Sequence, residues 1–80
     1  MKVASLVHPR EVFHQAILNA AASIILLHNH PSGEPEPSRE DKNITSRLVQ
    51  SGKIMDIPVL DHIIIGDGKY FSFREGGLIE

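Results

Sequence analysis

The chain has 80 residues, a length typical of one small domain, and we expect residues 1–80 to fold as a single domain. It contains no cysteine, which excludes disulfides, thiol nucleophiles and cysteine-ligated zinc sites and fits a cytoplasmic protein. A net charge of −2 argues against strong electrostatic binding to nucleic-acid phosphates. The longest uncharged apolar run, residues 20–27, is far too short to span a membrane.

Hydrophobic periodicity in the first half predicts a helix, a strand and a loop. The helix begins at Pro9, and apolar residues then recur every three or four positions as far as Ala21. Residues 23–28 form a strand in which residues 24–27 are apolar on both faces, a pattern typical of a central strand covered on both sides. The proline- and glycine-rich residues 31–37 form a loop, because they can continue neither element.

The second half predicts a helix and two strands. The helix begins at Ser38 and ends before Pro58, residues 59–65 form a buried strand, and residues 70–73 return as an antiparallel strand after a turn. The order α-β-α-β-β predicts an α/β (α+β) fold with a small mixed β-sheet flanked by helices. The two buried strands need neighbours, and only residues 1–6 remain upstream to supply one. We therefore expect part of a larger fold or a homo-oligomer.

Two of the five histidines, His28 and His30, lie at the predicted end of the first strand. Residues i and i+2 of an extended segment point to the same side, so both imidazoles can meet at one point. Asp41 follows eleven residues later in the first turn of the second helix, and the loop is long enough to fold that turn back over the strand end. Two imidazoles and a carboxylate are a common zinc ligand set, with a fourth position for water. The pattern predicts a zinc site at His28, His30 and Asp41.

Each half of this pattern also has a purely structural interpretation. Ser38 and Asp41 form a capping-box pattern, and this role does not exclude metal binding. Histidines at strand ends often only cap a sheet. Among the other histidines, His62 is interpreted as structural, with support of the metal site as the alternative. His8 is interpreted as a helix cap or surface residue, and His14 as solvent-facing.

The spacing of these residues resembles a metalloprotease motif. His28-Asn29-His30-Pro31, six residues, then Ser38-Arg39-Glu40-Asp41 is similar to the JAMM (JAB1/MPN+) motif His-x-His-Pro-x6-Ser-x-x-Asp. The wider string HNHPSGEPEPSREDKNIT, with VHPREVF before it and LDHIIIGDGKYFSFREGG after it, resembles the bacterial RadC family over essentially the whole chain. The resemblance implies a cytidine-deaminase-like JAB/MPN fold and one zinc ion on His28, His30 and Asp41. It also implies a catalytic role for Ser38 in stabilising an oxyanion.

The resemblance also implies a general base that this sequence does not match. JAMM enzymes use a glutamate on an upstream strand, whereas Glu11 is the only glutamate before His28 and belongs to a helix start. We therefore expect the chain to correspond to the C-terminal two thirds of the family domain. We also expect it to hydrolyse peptide or isopeptide bonds weakly or not at all.

Two other functions stay open. The chain could serve as a non-catalytic metal-binding module, as some MPN domains do. The RadC family also carries a DNA-repair label, although the sequence has neither a basic patch nor an aromatic stacking platform, and we do not expect direct nucleic-acid binding. The letters His28-Asn29-His30 match the name of the HNH nucleases by coincidence only. We expect a protein or peptide substrate.

Overall fold

A four-stranded mixed sheet with two helices makes up the fold. The computed structural model describes the backbone of residues 2–5 and all atoms of residues 8–80. The elements are β1 (Lys2–Ser5), α1 (Pro9–Leu18), β2 (Ile24–Asn29), α2 (Arg39–Met55), β3 (Val59–Gly66) and β4 (Lys69–Ser72). The sheet order is β1-β2-β3-β4, in which β1, β2 and β3 are parallel and β4 is antiparallel to β3. The predicted α+β fold is confirmed, and residues 2–5 supply the additional strand.

Both helices begin where a side chain satisfies the free backbone N–H groups of the first turn. His8 caps α1, its Nδ1 accepting a hydrogen bond from the Arg10 backbone N–H at 3.2 Å, and Pro9 occupies the first helical position. Ser38 caps the start of α2, and Asp56, the residue after its end, adopts a left-handed conformation with φ 59°. Within the described residues, neither helix is long and apolar enough to cross a membrane.

Both helices pack on one face of the sheet. The buried side chains of the helices and strands form a single core cluster, which comprises Val12, Phe13, Ala16, Ile24, Leu26, Leu48, Val59, Ile64, Phe73 and Ile79. The connections β1-α1-β2 and β2-α2-β3 advance across the sheet in the same direction, and right-handed crossovers then place both helices on the same side.

The expectation that the central strands are covered on both sides is wrong. Strands β2 and β3 are interior strands, as predicted. On the face away from the helices, however, Leu27 is 37% exposed and Ile65 is 40% exposed. Helices on one face only leave these alternate side chains uncovered in the part of the chain that the structure describes.

The loop at residues 31–37 packs against the turn between β3 and β4. The His30 backbone N–H donates to the Ile65 carbonyl at 2.9 Å, which extends the β2–β3 pairing just beyond β2. A Cβ added to Gly66 would lie 2.7 Å from the backbone C and O atoms of Gly33, so only glycine allows this approach. The close contact holds the loop beside the end of β2.

Candidate metal centre

Three side chains meet where the carboxyl end of β2 approaches the first turn of α2. His28 lies in β2, His30 is the first residue after this strand, and Asp41 is the third residue of α2. One ligand atom of each lies within 4.8 Å of the other two, so the group could hold a metal ion. The structure thus brings together the three residues that the sequence predicts as ligands.

His30 is oriented by a hydrogen bond at one ring nitrogen and lies close to Asp41 at the other. Its Nδ1 donates to the backbone carbonyl of Glu34 at 2.9 Å, and its Nε2 lies 3.0 Å from Asp41 Oδ2. Donation from Nδ1 to a carbonyl leaves Nε2 as the nitrogen available to a metal, which is the usual arrangement around metal-ligating histidines. The Glu34 carbonyl was not predicted, because a backbone acceptor has no side-chain signature.

Asp41 is held in place by the capping box of α2. Its Oδ2 accepts from the Ser38 backbone N–H at 2.8 Å, and Ser38 Oγ accepts from the Asp41 backbone N–H at 3.0 Å. Asp41 is only 6% exposed, and burial acts to raise the pKa of its carboxyl. Hydrogen bonds from Ser38 and the nearby rings of His28 and His30 outweigh burial, so this pKa lies below its usual 3.8. The carboxylate is therefore anionic at neutral pH.

His28 presents a buried nitrogen that lacks a hydrogen bond. Its Nδ1 lies 3.5 Å from Asp41 Oδ1 and has no hydrogen-bond partner among the residues that the structure describes. Nitrogen and oxygen ligands about 2.0–2.2 Å from a tetrahedral zinc ion lie roughly 3.3–3.5 Å from each other. The 3.5 Å from His28 Nδ1 to Asp41 Oδ1 matches that range, and His30 Nε2 lies 3.0 Å from the other carboxylate oxygen, Oδ2. The donor set therefore fits a small divalent metal.

A buried histidine lies behind His28. His62 on β3 is fully buried, and its ring stacks on His28 with a centroid distance of 5.9 Å. Its Nδ1 lies 2.7 Å from the hydroxyl of Thr45. Burial, together with the nearby His28 ring, lowers the pKa of His62 to about 4, so this imidazole is neutral at neutral pH. Sequence reasoning missed Thr45, although its position four residues after Asp41 places it on the same helix face.

The remaining candidate residues lie at different distances from His28, His30 and Asp41. Ser38 is at the site through its bonds to Asp41. Glu11 is exposed on α1 and lines a surface depression together with Ser51 and Met55. Ser51 is ten residues beyond Asp41, about 15 Å along α2, so Glu11 does not take part in the site. His14 is exposed on α1, as the sequence predicts.

Comparisons with known proteins agree with the resemblance in the sequence. The family model of the RadC-like JAB domain matches residues 2–78. A UPF0758 protein of Clostridioides difficile is 67% identical over 75 residues, which are 94% of this chain and 32% of that protein. UPF0758 proteins of Symbiobacterium thermophilum and Methanosarcina acetivorans are 63% and 58% identical over 76 residues, covering 95% of this chain and 32% and 33% of those proteins. The chain spans about a third of the length of these curated relatives.

Proposed function

We propose that this chain, which belongs to the family of RadC-like JAB domains, binds one zinc ion through His28, His30 and Asp41 as part of a JAMM-type metallopeptidase or isopeptidase domain. The observation that carries the proposal is the convergence of one ligand atom from each residue within 4.8 Å. Two neutral imidazoles and a carboxylate are a preferred zinc donor set. The same ligands also accept other first-row metals, so zinc itself is part of the proposal.

The residues around the ligands support a hydrolytic role. A zinc ion bound here would polarise a substrate carbonyl and lower the pKa of a bound water to about 7. Ser38 Oγ accepts the Asp41 N–H, which leaves the hydroxyl hydrogen free to donate. In our proposal this hydroxyl donates to the oxyanion that develops on a peptide or isopeptide carbonyl, with a protein or peptide as substrate.

The 80-residue chain alone should hydrolyse its substrate weakly. Glu11 lies away from the three ligands, and Asp41 is the carboxylate among them. Loss of a positioned general base costs typically 10²–10⁴-fold in rate. We propose that the chain forms the C-terminal two thirds of a family domain whose preceding segment supplies a glutamate. A longer chain with that segment should be at least tenfold more active, and equal rates would show that the base lies within these 80 residues.

Zinc affinity tests the metal site directly. The purified protein should bind one zinc ion per chain and become more stable on zinc addition, by about 2.7 kcal/mol at a free zinc concentration of 100 Kd. His28→Ala should abolish binding. Asp41→Asn should weaken it strongly, while the amide oxygen still accepts the Ser38 N–H. The matched control is His14→Ala, which removes an exposed imidazole from α1 and should bind zinc like the unaltered chain.

Two outcomes would contradict the metal site. One is protein without bound metal whose melting temperature is unchanged by zinc. The other is equal zinc affinity in His28→Ala and His14→Ala, which would place the ion elsewhere.

A non-catalytic metal-binding module is the second candidate function, favoured by the position of Glu11 away from the ligands. Zinc binding without hydrolysis in the longer chain would support it.

A further inference from the structure

A buried hydrogen bond ties β3 to α2 directly behind the three ligands. His62 Nδ1 and Thr45 Oγ1 lie 2.7 Å apart, and the two residues are 0% and 2% exposed. Thr45 stands one helical turn after Asp41 on the same face of α2. The bond therefore anchors α2 to the sheet beside the turn that carries Asp41.

The ring of His62 also supports His28. Their centroids are 5.9 Å apart with 21° between the planes, and His62 stacks in turn on Phe73 at 4.4 Å and 18°. His62 pairs in register with Leu26 in β2, two residues before His28. His62 thus contacts His28 of β2 through its ring. It also contacts α2, which carries Asp41, through its hydrogen bond to Thr45.

A histidine is a costly choice for this position. Its Nε2 is buried and has no hydrogen-bond partner within the described part of the chain. An unsatisfied polar atom in a protein core destabilises the fold, and an apolar ring of similar size would avoid that cost. His62 is not one of the three residues whose ligand atoms converge, so direct metal binding does not account for it. The Thr45 bond is the contact that an apolar ring could not make.

We propose that His62 is a positioning residue that, together with Thr45, sets the place of His28 relative to Asp41. The inference rests on the proposed metal site, whose ligands come from two elements that His62 joins. Outer-shell partners of metal ligands typically change metal affinity by 10–100-fold when removed. We expect losses in that range when the bond or the ring is removed.

Three substitutions separate the hydrogen bond from the stacked ring. Thr45→Val keeps the shape of the side chain and removes the bond, and Thr45→Ser keeps the hydroxyl. His62→Phe keeps a stacked ring and removes the bond. Zinc affinity by chelator competition, and the visible absorption of the cobalt-loaded protein, should show at least tenfold weaker binding in Thr45→Val and His62→Phe. Thr45→Ser should stay within about threefold of the unaltered chain.

A matched control separates positioning from general destabilisation. Leu48→Ala creates a cavity in the same helix, one turn after Thr45, and leaves the bond intact. Unfolding of the metal-free proteins ranks the variants by stability. Equal losses of zinc affinity in Leu48→Ala and Thr45→Val at equal stability would overturn the inference, as would full affinity in both Thr45→Val and His62→Phe.

A metal-free measurement keeps this inference distinct from the metal site itself. His28 Nδ1 lies 3.5 Å from Asp41 Oδ1, so the unaltered apo-protein should give nuclear Overhauser effects between the His28 ring and the Asp41 β-protons. Thr45→Val should weaken them, and Thr45→Ser should retain them. Failure of the unaltered chain to bind zinc or cobalt would refute the proposed function only. Unchanged effects in Thr45→Val would refute the positioning role, whether or not metal binds.

Discussion

Acid should destabilise the metal-free protein through His62. In the folded state the pKa of His62 is lowered from 6.5 to about 4, mainly by burial and to a smaller extent by the nearby His28 ring. The unfolded chain exposes the same imidazole with its ordinary pKa of 6.5. Between these two pH values the unfolded state binds more protons than the folded one. The stability is therefore complete above pH 6.5 and is lost as the pH falls towards 4.

The expected loss is large for a chain of this size. At 1.36 kcal/mol for each pH unit, His62 alone removes about 3 kcal/mol of the free energy of unfolding between pH 7 and pH 4. Domains of this length have roughly 4–12 kcal/mol in total. Asp41 acts in the same direction but at lower pH, because its lowered pKa places its titration below 3.8. The window from pH 6.5 to pH 4 is therefore the one in which to observe His62.

Urea unfolding followed by far-ultraviolet circular dichroism measures this effect. Protein kept metal-free with a chelator is unfolded at pH 7, 5.5 and 4, beside the variant His62→Phe. The variant has no imidazole to protonate at this position, so its free energy of unfolding should fall by about 3 kcal/mol less over the same range. Parallel losses in the two proteins would refute the interpretation of His62 as a buried neutral imidazole.

Three further predictions concern the cap, the loop and the uncovered sheet face. Ser38→Ala should lower the free energy of unfolding by about 1 kcal/mol in urea titrations, because α2 loses its N-cap, and Ser38→Thr should restore most of it. Gly66→Ala should lower the free energy of unfolding by about 1–3 kcal/mol in the same assay and weaken zinc binding, because its Cβ would displace the loop at Gly33. Unchanged stability and zinc affinity would contradict the close approach. The chain should self-associate at low micromolar concentration through strand edges or through the sheet face that carries Leu27 and Ile65. Sedimentation velocity measures this, and a monomer at every concentration would contradict it.

Local sequence signals were sufficient to predict both helices, strands β2 to β4 and the meeting of His28, His30 and Asp41. The period of two in a strand places His28 and His30 on one side, and Ser38 marks the start of α2 by its capping pattern. Proline and glycine mark the loop between them. Because all these signals lie within fourteen consecutive residues, the meeting of His28, His30 and Asp41 could be predicted from local sequence.

The surroundings of the ligands depend on long-range register and were not predictable. Leu60 is an extra residue in β3, since Ile24 pairs with Val59 and Ile25 with Asp61. The shift places His62 opposite Leu26, on the face that carries the helices. Without it His62 would point to the other face. Alternation along the strand does not reveal such a bulge, so neither the face that His62 occupies nor its bond to Thr45 could be read from the sequence.

The capping box gives the Asp41 carboxylate two independent reasons to be present. Its bond to the Ser38 N–H serves the start of α2, and its contacts with His28 and His30 serve the proposed metal site. A related sequence that had lost both histidines would still benefit from serine and aspartate at this spacing, because its helix would need the same start. In database searches, Ser-x-x-Asp alone is therefore poor evidence for a metal enzyme. In our proposal the histidine pair, and not the serine–aspartate spacing, is the part of the sequence that indicates a metal site.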